Sequence, residues 1–409
     1  MKYANYAYKG KNINNLGDHV QVLTVDYLYQ DMGIPAGDIT YIDKDDLQAY
    51  DGEPVLLPVS MPLIDYKENG MAGMFSSSIT PVFLGLTMAK DELVPEEIAY
   101  LKRHEPIGCR DERTYNILVS TGVSAYLGGC LTVAMPTRKS CPDNQSKVFV
   151  IDPTDGVKGH IPTKIADEAI WDTHLFYNPI ENPKLKADER YKQYRDEAKL
   201  VVTSLLHCSV PCMAMGIPVV LAKDIVSYRF GWLEALLKIH TPTEYADIDW
   251  NPSPIEYEPH KNLIKSLFRK CMTGQGAFSE ISQTHDFYMN RERKEYVVDA
   301  FMDIQKFIDD TWADHEKAYE YAVWGLTQMA DMTVSYITKR YPKAKLTHAY
   351  DIQAGLKFRG MSAIHPDGIA DHPNETVFVT TVSAAKRAKE FLNEIKKPKD
   401  LFMTLEVII

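Results

Sequence analysis

The chain has 409 residues, 45% hydrophobic and 25% charged, so at roughly 150 residues per domain it can build two or three cores, and its composition excludes disordered, collagen-like and low-complexity classes. Lys plus Arg number 45 against 56 Asp plus Glu, a formal charge of −11, which is the wrong sign for a protein that grips nucleic acid with its whole surface. Six cysteines without a CxxC pair or a paired Cys/His cluster point to a reduced, cytoplasmic setting and to no metal. No signal-like leader and no run of 18 apolar residues occurs, so any lipid contact is expected to be peripheral.

Short apolar runs alternate with amphipathic helical stretches through residue 240, the pattern of parallel sheets flanked by helices, and the class is α/β. Strands are expected at residues 3–9, 54–60, 81–86 and 106–109, with helices at 18–31 and 112–120 and helix stops at Gly33 and Gly122. The polar stretch 136–146, PTRKSCPDNQS, precedes a clean new strand and marks a domain boundary, giving a first Rossmann-like domain over 1–138 and a second over 147–250. Strands of the second are expected at 147–152, around 172–177, at 200–204 and at 218–222. From 251 to 320 long charged helices form a bridge. The stripe Tyr296, Val297, Ala300, Phe301, Ile304, Phe307, Ile308 recurs at helical spacing and reads as a docking face. Residues 321–409 read as a third, small α/β module with strands at 321–324, 345–350, 376–380 and 401–407.

The segment 200–222, LVVTSLLHCSVPCMAMGIPVVLA, carries the most chemistry. A strand ends at Ser204, His207 follows in the turn, and a short helix from about Cys208 to Met215 stops at Gly216. That places Ser204 and His207 at the carboxyl edge of a parallel sheet, where open α/β folds bind ligands, beside a helix amino end that suits an anion. A buried core histidine is the alternative. Cys208 and Cys212, one helical turn apart, read as two small core residues. In PIGCRDERTYNILVSTG (106–122) Asp111 is a natural N-cap and Arg110 ends a strand, placed for bidentate pairing with a carboxylate or phosphate; a surface arginine paired to Asp111 or Glu112 is the alternative. NINNLGDHVQ (12–21) offers Asn15, Gly17 and Asp18 as a tight polar turn over a helix start. In SYRFGWLEALL (227–237) Arg229 precedes an apolar helix. In the third module WGLTQMA (324–330) holds only Gly325 where a dinucleotide fingerprint has three glycines, with Leu326 and Gln328 in the way of a pyrophosphate, although Asp351 closes the next strand as a ribose-binding acid would.

Together NxGDxxQ, PVF, PIGCRDERT, AYLGGCLT, AKLVVTSLLHCSVPCMAMGIPVV and YRFGWLEALL follow the order and spacing of the polysaccharide pyruvyl transferase family, which the chain resembles over about residues 10–240. The resemblance implies two Rossmann-like domains in a GT-B-like arrangement, and transfer of a pyruvyl group from phosphoenolpyruvate, a co-substrate and not a bound cofactor, to a glycan or lipid-linked sugar acceptor, forming a cyclic ketal. It implies that His207 protonates the donor's methylene carbon, that Arg110 holds the donor's anionic groups, and that Ser204, Arg229, Asn15, Gly17 and Asp18 surround the donor, with Lys223 close by. Leu205 stands where the family usually has an arginine, and Thr87 where a histidine is often found, so the donor-binding field has two fewer cations than the family pattern. The last module resembles Rossmann-like accessory domains of carbohydrate enzymes. A GT-B glycosyltransferase using a nucleotide sugar, and a non-catalytic scaffold for capsule assembly, are the competing readings.

Overall fold

The computed structural model describes residues 2–8, 15–60, 75–88, 93–139, 147–176, 181–224, 226–290, 300–353 and 355–404. Strands β1 (Lys2–Ala7), β2 (Ile39–Asp43), β3 (Val55–Val59) and β4 (Ile79–Phe83) pair in parallel in the order β2-β1-β3-β4. A further parallel pair, β5 (Ile107–Cys109) and β6 (Ala125–Leu127), joins that edge through one bridge between Leu86 and Cys109. The polypeptide between the strands forms α1 (Leu16–Asp31), α2 (Pro95–Lys102) and α3 (Glu112–Ser120). Ala4, Val55, Leu57, Val59, Leu86 and Ile107 are all buried in one cluster, so this face of the sheet is a continuous apolar surface, as expected for a sheet covered by helices. Helix α1 is buried nearly all round because it packs on its own sheet and on helices of the second.

The second sheet consists of β7 (Lys147–Ile151), β8 (Ile170–Asp172), β9 (Ala198–Thr203), β10 (Val219–Ala222) and β11 (Ile239–His240), all parallel, in the order β11-β10-β9-β7-β8. Its helices are α4 (Asp155–Lys158), α5 (Thr163–Glu168), α6 (Pro183–Glu197) and α7 (Leu206–Ala214). Among the described residues no ladder joins the two sheets; an isolated antiparallel bridge between Asn15 and Leu175 crosses from one to the other. Two helices, α8 (Glu258–Met272) and α9 (Phe278–Met289), tie them together. Lys261 on α8 donates to the carbonyl of Ala214 at 2.8 Å and to Thr137, and His285 on α9 accepts from Leu127 N–H at 3.1 Å. Both sheets and both helices belong to one compact unit, Met1–Glu295.

The remaining unit, Tyr296–Ile409, contains α10 (Ala300–Thr311), β12 (Glu320–Trp324), α11 (Gln328–Arg340), β13 (Lys345–Tyr350), the short hairpin β14 (Lys357–Phe358) and β15 (Met361–Ser362), β16 (Thr376–Val379), α12 (Val382–Glu394) and β17 (Phe402–Met403), with the parallel order β13-β12-β16-β17. Its beginning corrects the expected boundary at 321. Ile304 and Ile308 of α10 are buried, and the Phe307 and Phe378 rings lie 6.0 Å apart, so this helix packs onto the last sheet and is no part of a bridge. The proposed bridge is therefore confined to the helices before 296. Tyr296 and Val297 of the expected docking stripe, and positions 405–407 of the expected final strand, lie outside the described residues.

Candidate functional site

Helix α1 starts on Asn15, whose side chain accepts from Gly17 N–H at 2.8 Å, and Leu16 N–H donates across to the carbonyl of His174 at 3.0 Å. This seats the first turn of α1 against the first turn of α7. A Cβ on Gly17 would lie 3.0 Å from His207 Cβ and 3.2 Å from its Nδ1, so only glycine lets the two helix starts meet so closely. Asp18 stands in the same turn, half-buried; burial raises its pKa against the opposing pull of Lys44, Arg229 and Arg110.

His207 is itself buried. Its Nε2 lies 3.8 Å from Cys130 Sγ, and its carbonyl accepts from the Tyr191 hydroxyl. Burial, followed by the positive charges of Arg110 and Arg229 and by His174, holds its pKa well below the ordinary histidine value. Burial and neighbouring cations thus both disfavour the charged form of the ring.

Arg110 follows β5, and its N–H donates to Leu86 O at 2.8 Å. The guanidinium is fully buried, so the surface-arginine alternative is excluded. Nη2 donates to Gln21 Oε1 at 2.6 Å and to the Ser60 carbonyl, while among the described residues Nε and Nη1 have no partner and no carboxylate forms an ion pair with the guanidinium. Arg229 Nε is likewise buried without a partner among the described residues. Lys223, at the end of β10, donates to Ser204 O at 3.0 Å, and burial, reinforced by Arg229, pulls its pKa down to about 8. Burying guanidinium nitrogens without partners is costly, since a buried charge loses several kcal/mol of hydration.

The structure thus brings Arg110, His207, Gly17, Asp18 and Arg229 to one place, where the carboxyl ends of both sheets and the amino ends of α1 and α7 converge. It gives two other expected site residues a framework part. The Ser204 hydroxyl donates to the Asp152 carbonyl at 2.6 Å, holding Asp152 at φ 43° at the end of β7, and the Asn15 side chain is occupied as the α1 cap. Asp111 caps α3, accepting from Thr114 N–H at 2.9 Å. Cys208 and Cys212 are both fully buried core thiols, and among the described residues no His, Cys, Asp and Glu group could hold a metal ion. Sequence reasoning missed Gln21, Ser60, Cys130, His174 and Tyr191. The Gly128-Gly129 pair before Cys130 was the available signal: a Cβ on Gly129 would lie 2.8 Å from the Tyr288 ring, so the chain there is pressed into a crowded interior.

The family model for polysaccharide pyruvyl transferase matches residues 15–222. The chain belongs to that family. The matched span opens on the Asn15 cap and closes at the end of β10, so it includes Arg110, Cys130 and His207. No curated protein matches the chain. Among solved structures, a functionally uncharacterised protein of Klebsiella pneumoniae is 14% identical over 54% of this chain and 83% of its own, with a TM-score of 0.30. A protein of Listeria monocytogenes provisionally assigned as a UDP-N-acetylglucosamine 2-epimerase is 9% identical over 78% of this chain and 98% of its own, with a TM-score of 0.27. Likenesses of that size leave fold and chemistry to be argued from the chain itself. None of the described helices is long and apolar enough to cross a membrane.

Proposed function

We propose that this pyruvyl transferase takes the pyruvyl group from phosphoenolpyruvate and places it as a cyclic ketal on two hydroxyls of a polysaccharide or lipid-linked glycan precursor. One observation carries the reading: Arg110 is buried with Nε and Nη1 unpartnered among the described residues, and its charge acts on His207. A guanidinium left this way is completed by an anion that offers oxygens in its plane, and the donor brings both a carboxylate and a phosphate. Arg229, Lys223 and the amino ends of α1 and α7 add positive potential from the other sides, in place of the cations absent at Leu205 and Thr87.

The same field explains how a neutral histidine becomes an acid. Burial, then Arg110 and Arg229, disfavour a proton on His207 in the free protein, and a donor with about three negative charges at neutral pH opposes them, so donor binding draws a proton onto the ring. His207 then protonates the methylene carbon, one sugar hydroxyl attacks the resulting cationic carbon, phosphate leaves with the C–O electron pair, and a second hydroxyl closes the ketal. One hydroxyl proton restores His207 and the other goes to the phosphate. In this reading the two sheets are the two halves of a GT-B-like pair, the chain works in the cytoplasm and meets the membrane only through a lipid-linked acceptor, and the C-terminal unit supplies no reacting group.

The test is incubation of the full chain with phosphoenolpyruvate and a lipid-linked glycan, followed by mass spectrometry for a pyruvyl ketal and by titration with the donor. Donor-dependent ketal formation supports the reading. Binding of a nucleotide sugar but not phosphoenolpyruvate would replace it with a glycosyltransferase, and binding of neither would replace it with a scaffold.

A further inference from the structure

We propose that Cys130 is a positioning residue whose thiol donates to Nε2 of His207 and thereby fixes the ring proton on Nδ1, the nitrogen that faces Gly17 and the amino end of α1. This deepens the assignment of His207 as proton donor and rests on it. The geometry comes from both sides of the ring. On one side Sγ lies 3.8 Å from Nε2, and no other described group bonds that nitrogen. Sγ already accepts from the Thr132 hydroxyl at 3.1 Å, which leaves its own proton free to point at Nε2. On the other side Nδ1 is 3.2 Å from where a Gly17 Cβ would be, so it looks onto the α1 turn that holds Asn15 and Asp18. The thiol is almost completely buried, which removes water as a competing donor.

The tautomer has a consequence for the chemistry. A thiol that donates to Nε2 stabilises the neutral ring, because an imidazolium would turn an N–H against a sulfur already supplied with a proton. Cys130 therefore acts in the same direction as Arg110, Arg229 and His174, the groups that oppose the charge on His207. Asp18 beside Gly17 is the carboxylate on the Nδ1 side, Tyr191 engages only the His207 carbonyl, and Lys223 is a further cation beside Arg229. When donor binding adds the second proton at Nε2, the Cys130 thiol must turn its own proton away, and the proton that leaves His207 in the proposed reaction is the one on Nδ1, aimed at the space in front of Gly17.

The experiment uses the full chain with ¹⁵N-labelled histidine, the His207 resonances being identified by their loss in His207→Gln. The wild-type ring should be protonated at Nδ1 above neutral pH. In Cys130→Ala the tautomer preference should weaken and the ring should titrate higher, by about half a pH unit for one weak hydrogen bond; the alkaline limb of kcat/KM should move up with it. Cys130→Ser, which keeps a hydroxyl donor, should recover part of both shifts. A wild-type ring protonated at Nε2 overturns the proposal outright, and that measurement needs no variant to fold. A Cys130→Ala protein with lower kcat but an unmoved limb and tautomer also overturns it, leaving Cys130 as packing. Because the spectra need no substrate, absence of phosphoenolpyruvate turnover would sink the pyruvyl transfer reading while leaving the Cys130 assignment to be decided by the ring itself.

Discussion

The first and third sheets share a strand order, with the first strand of each flanked by the second and third, yet their carboxyl edges are finished in opposite ways. At the end of β5, in the strand pair bridged to the first sheet, Arg110 is buried with two nitrogens unpartnered among the described residues. The equivalent edge of the third sheet closes on itself. Asp351 accepts from Leu326 N–H at 3.3 Å and Gln353 N–H at 2.9 Å, and the Thr380 hydroxyl donates to the carbonyl of Gly325 at 2.6 Å. A Cβ on Gly325 would lie 2.2 Å from Thr381 Cγ2, so a side chain already fills the space over that turn. A parallel sheet supplies an edge where ligands can bind; whether one binds depends on whether that edge leaves charge unsatisfied.

The largest effects should come from removing that unsatisfied charge or the ring beside it. His207→Ala should lower turnover by about 10² to 10⁴, the usual worth of a general acid, with circular dichroism unchanged. Arg110→Met separates function from structure more sharply. Deleting a buried cation that has no carboxylate partner should leave the melting temperature of the free protein unchanged or raised, while phosphoenolpyruvate ceases to shift it. If Arg110→Met unfolds the protein instead, the guanidinium is a structural tie through Gln21 and Ser60, and the contrast between the two edges fails.

How much of this could be read from residues alone differs between the sheets and the site. The strand at 54–60 and the helix at 112–120 were legible because apolar runs and an Asp111 cap announce them, and α3 occupies Glu112–Ser120 as expected. Strands β2, β6 and β11 escaped because two to five residues carry too little pattern, and α6 because only three buried residues, Ala187, Tyr191 and Tyr194, mark its helical stripe in an otherwise charged segment. His207 and Arg110 were legible as residues at strand ends. Their surroundings were not: the lowered pKa of His207 comes from burial and from cations 97 positions before it and 22 after it, and Cys130 reaches it from a third strand end. Long-range placement of that kind has no local signature.

Acidification should weaken the unit that holds the site before it affects the last one. His174 and His260 are buried, and burial brings their pKa values down to about 3 and about 4. Each binds a proton more readily unfolded than folded, so stability is complete above the ordinary value near 6.5 and falls as pH drops below it. At pH 5 the loss is about 2 kcal/mol per histidine, and His207 adds to it in the same direction. Urea unfolding of the full chain at pH 7.5 and pH 5 should show the midpoint of the larger unit moving down, and His174→Phe should flatten that dependence. An equal fall in both units would remove the distinction.

A smaller effect should follow from Gly17→Ala. The new methyl would meet His207 Cβ at 3.0 Å, so the two helix starts must separate by a few tenths of an ångström, at a cost of about 1 to 3 kcal/mol for overpacking. Turnover should fall further than stability, because the displaced group is the ring itself. Retention of wild-type kcat with the same change in melting temperature would show that the contact between α1 and α7 is packing alone.

The smallest effect belongs to the closed edge. Asp351→Ala removes the acceptor of two backbone N–H groups in a half-buried turn, which should cost the C-terminal unit about 1 kcal/mol and leave ketal formation unchanged, since no reacting group is assigned there. Titration of the full chain with NAD and with a nucleotide sugar should give no heat that the substitution abolishes: the Asp351 carboxylate is engaged with Leu326 N–H, and Thr381 stands over Gly325 where a pyrophosphate would have to approach the backbone. Micromolar binding of either ligand, lost in Asp351→Ala, would mean that the carboxylate exchanges its backbone bonds for ribose hydroxyls and that this edge is open to ligands after all.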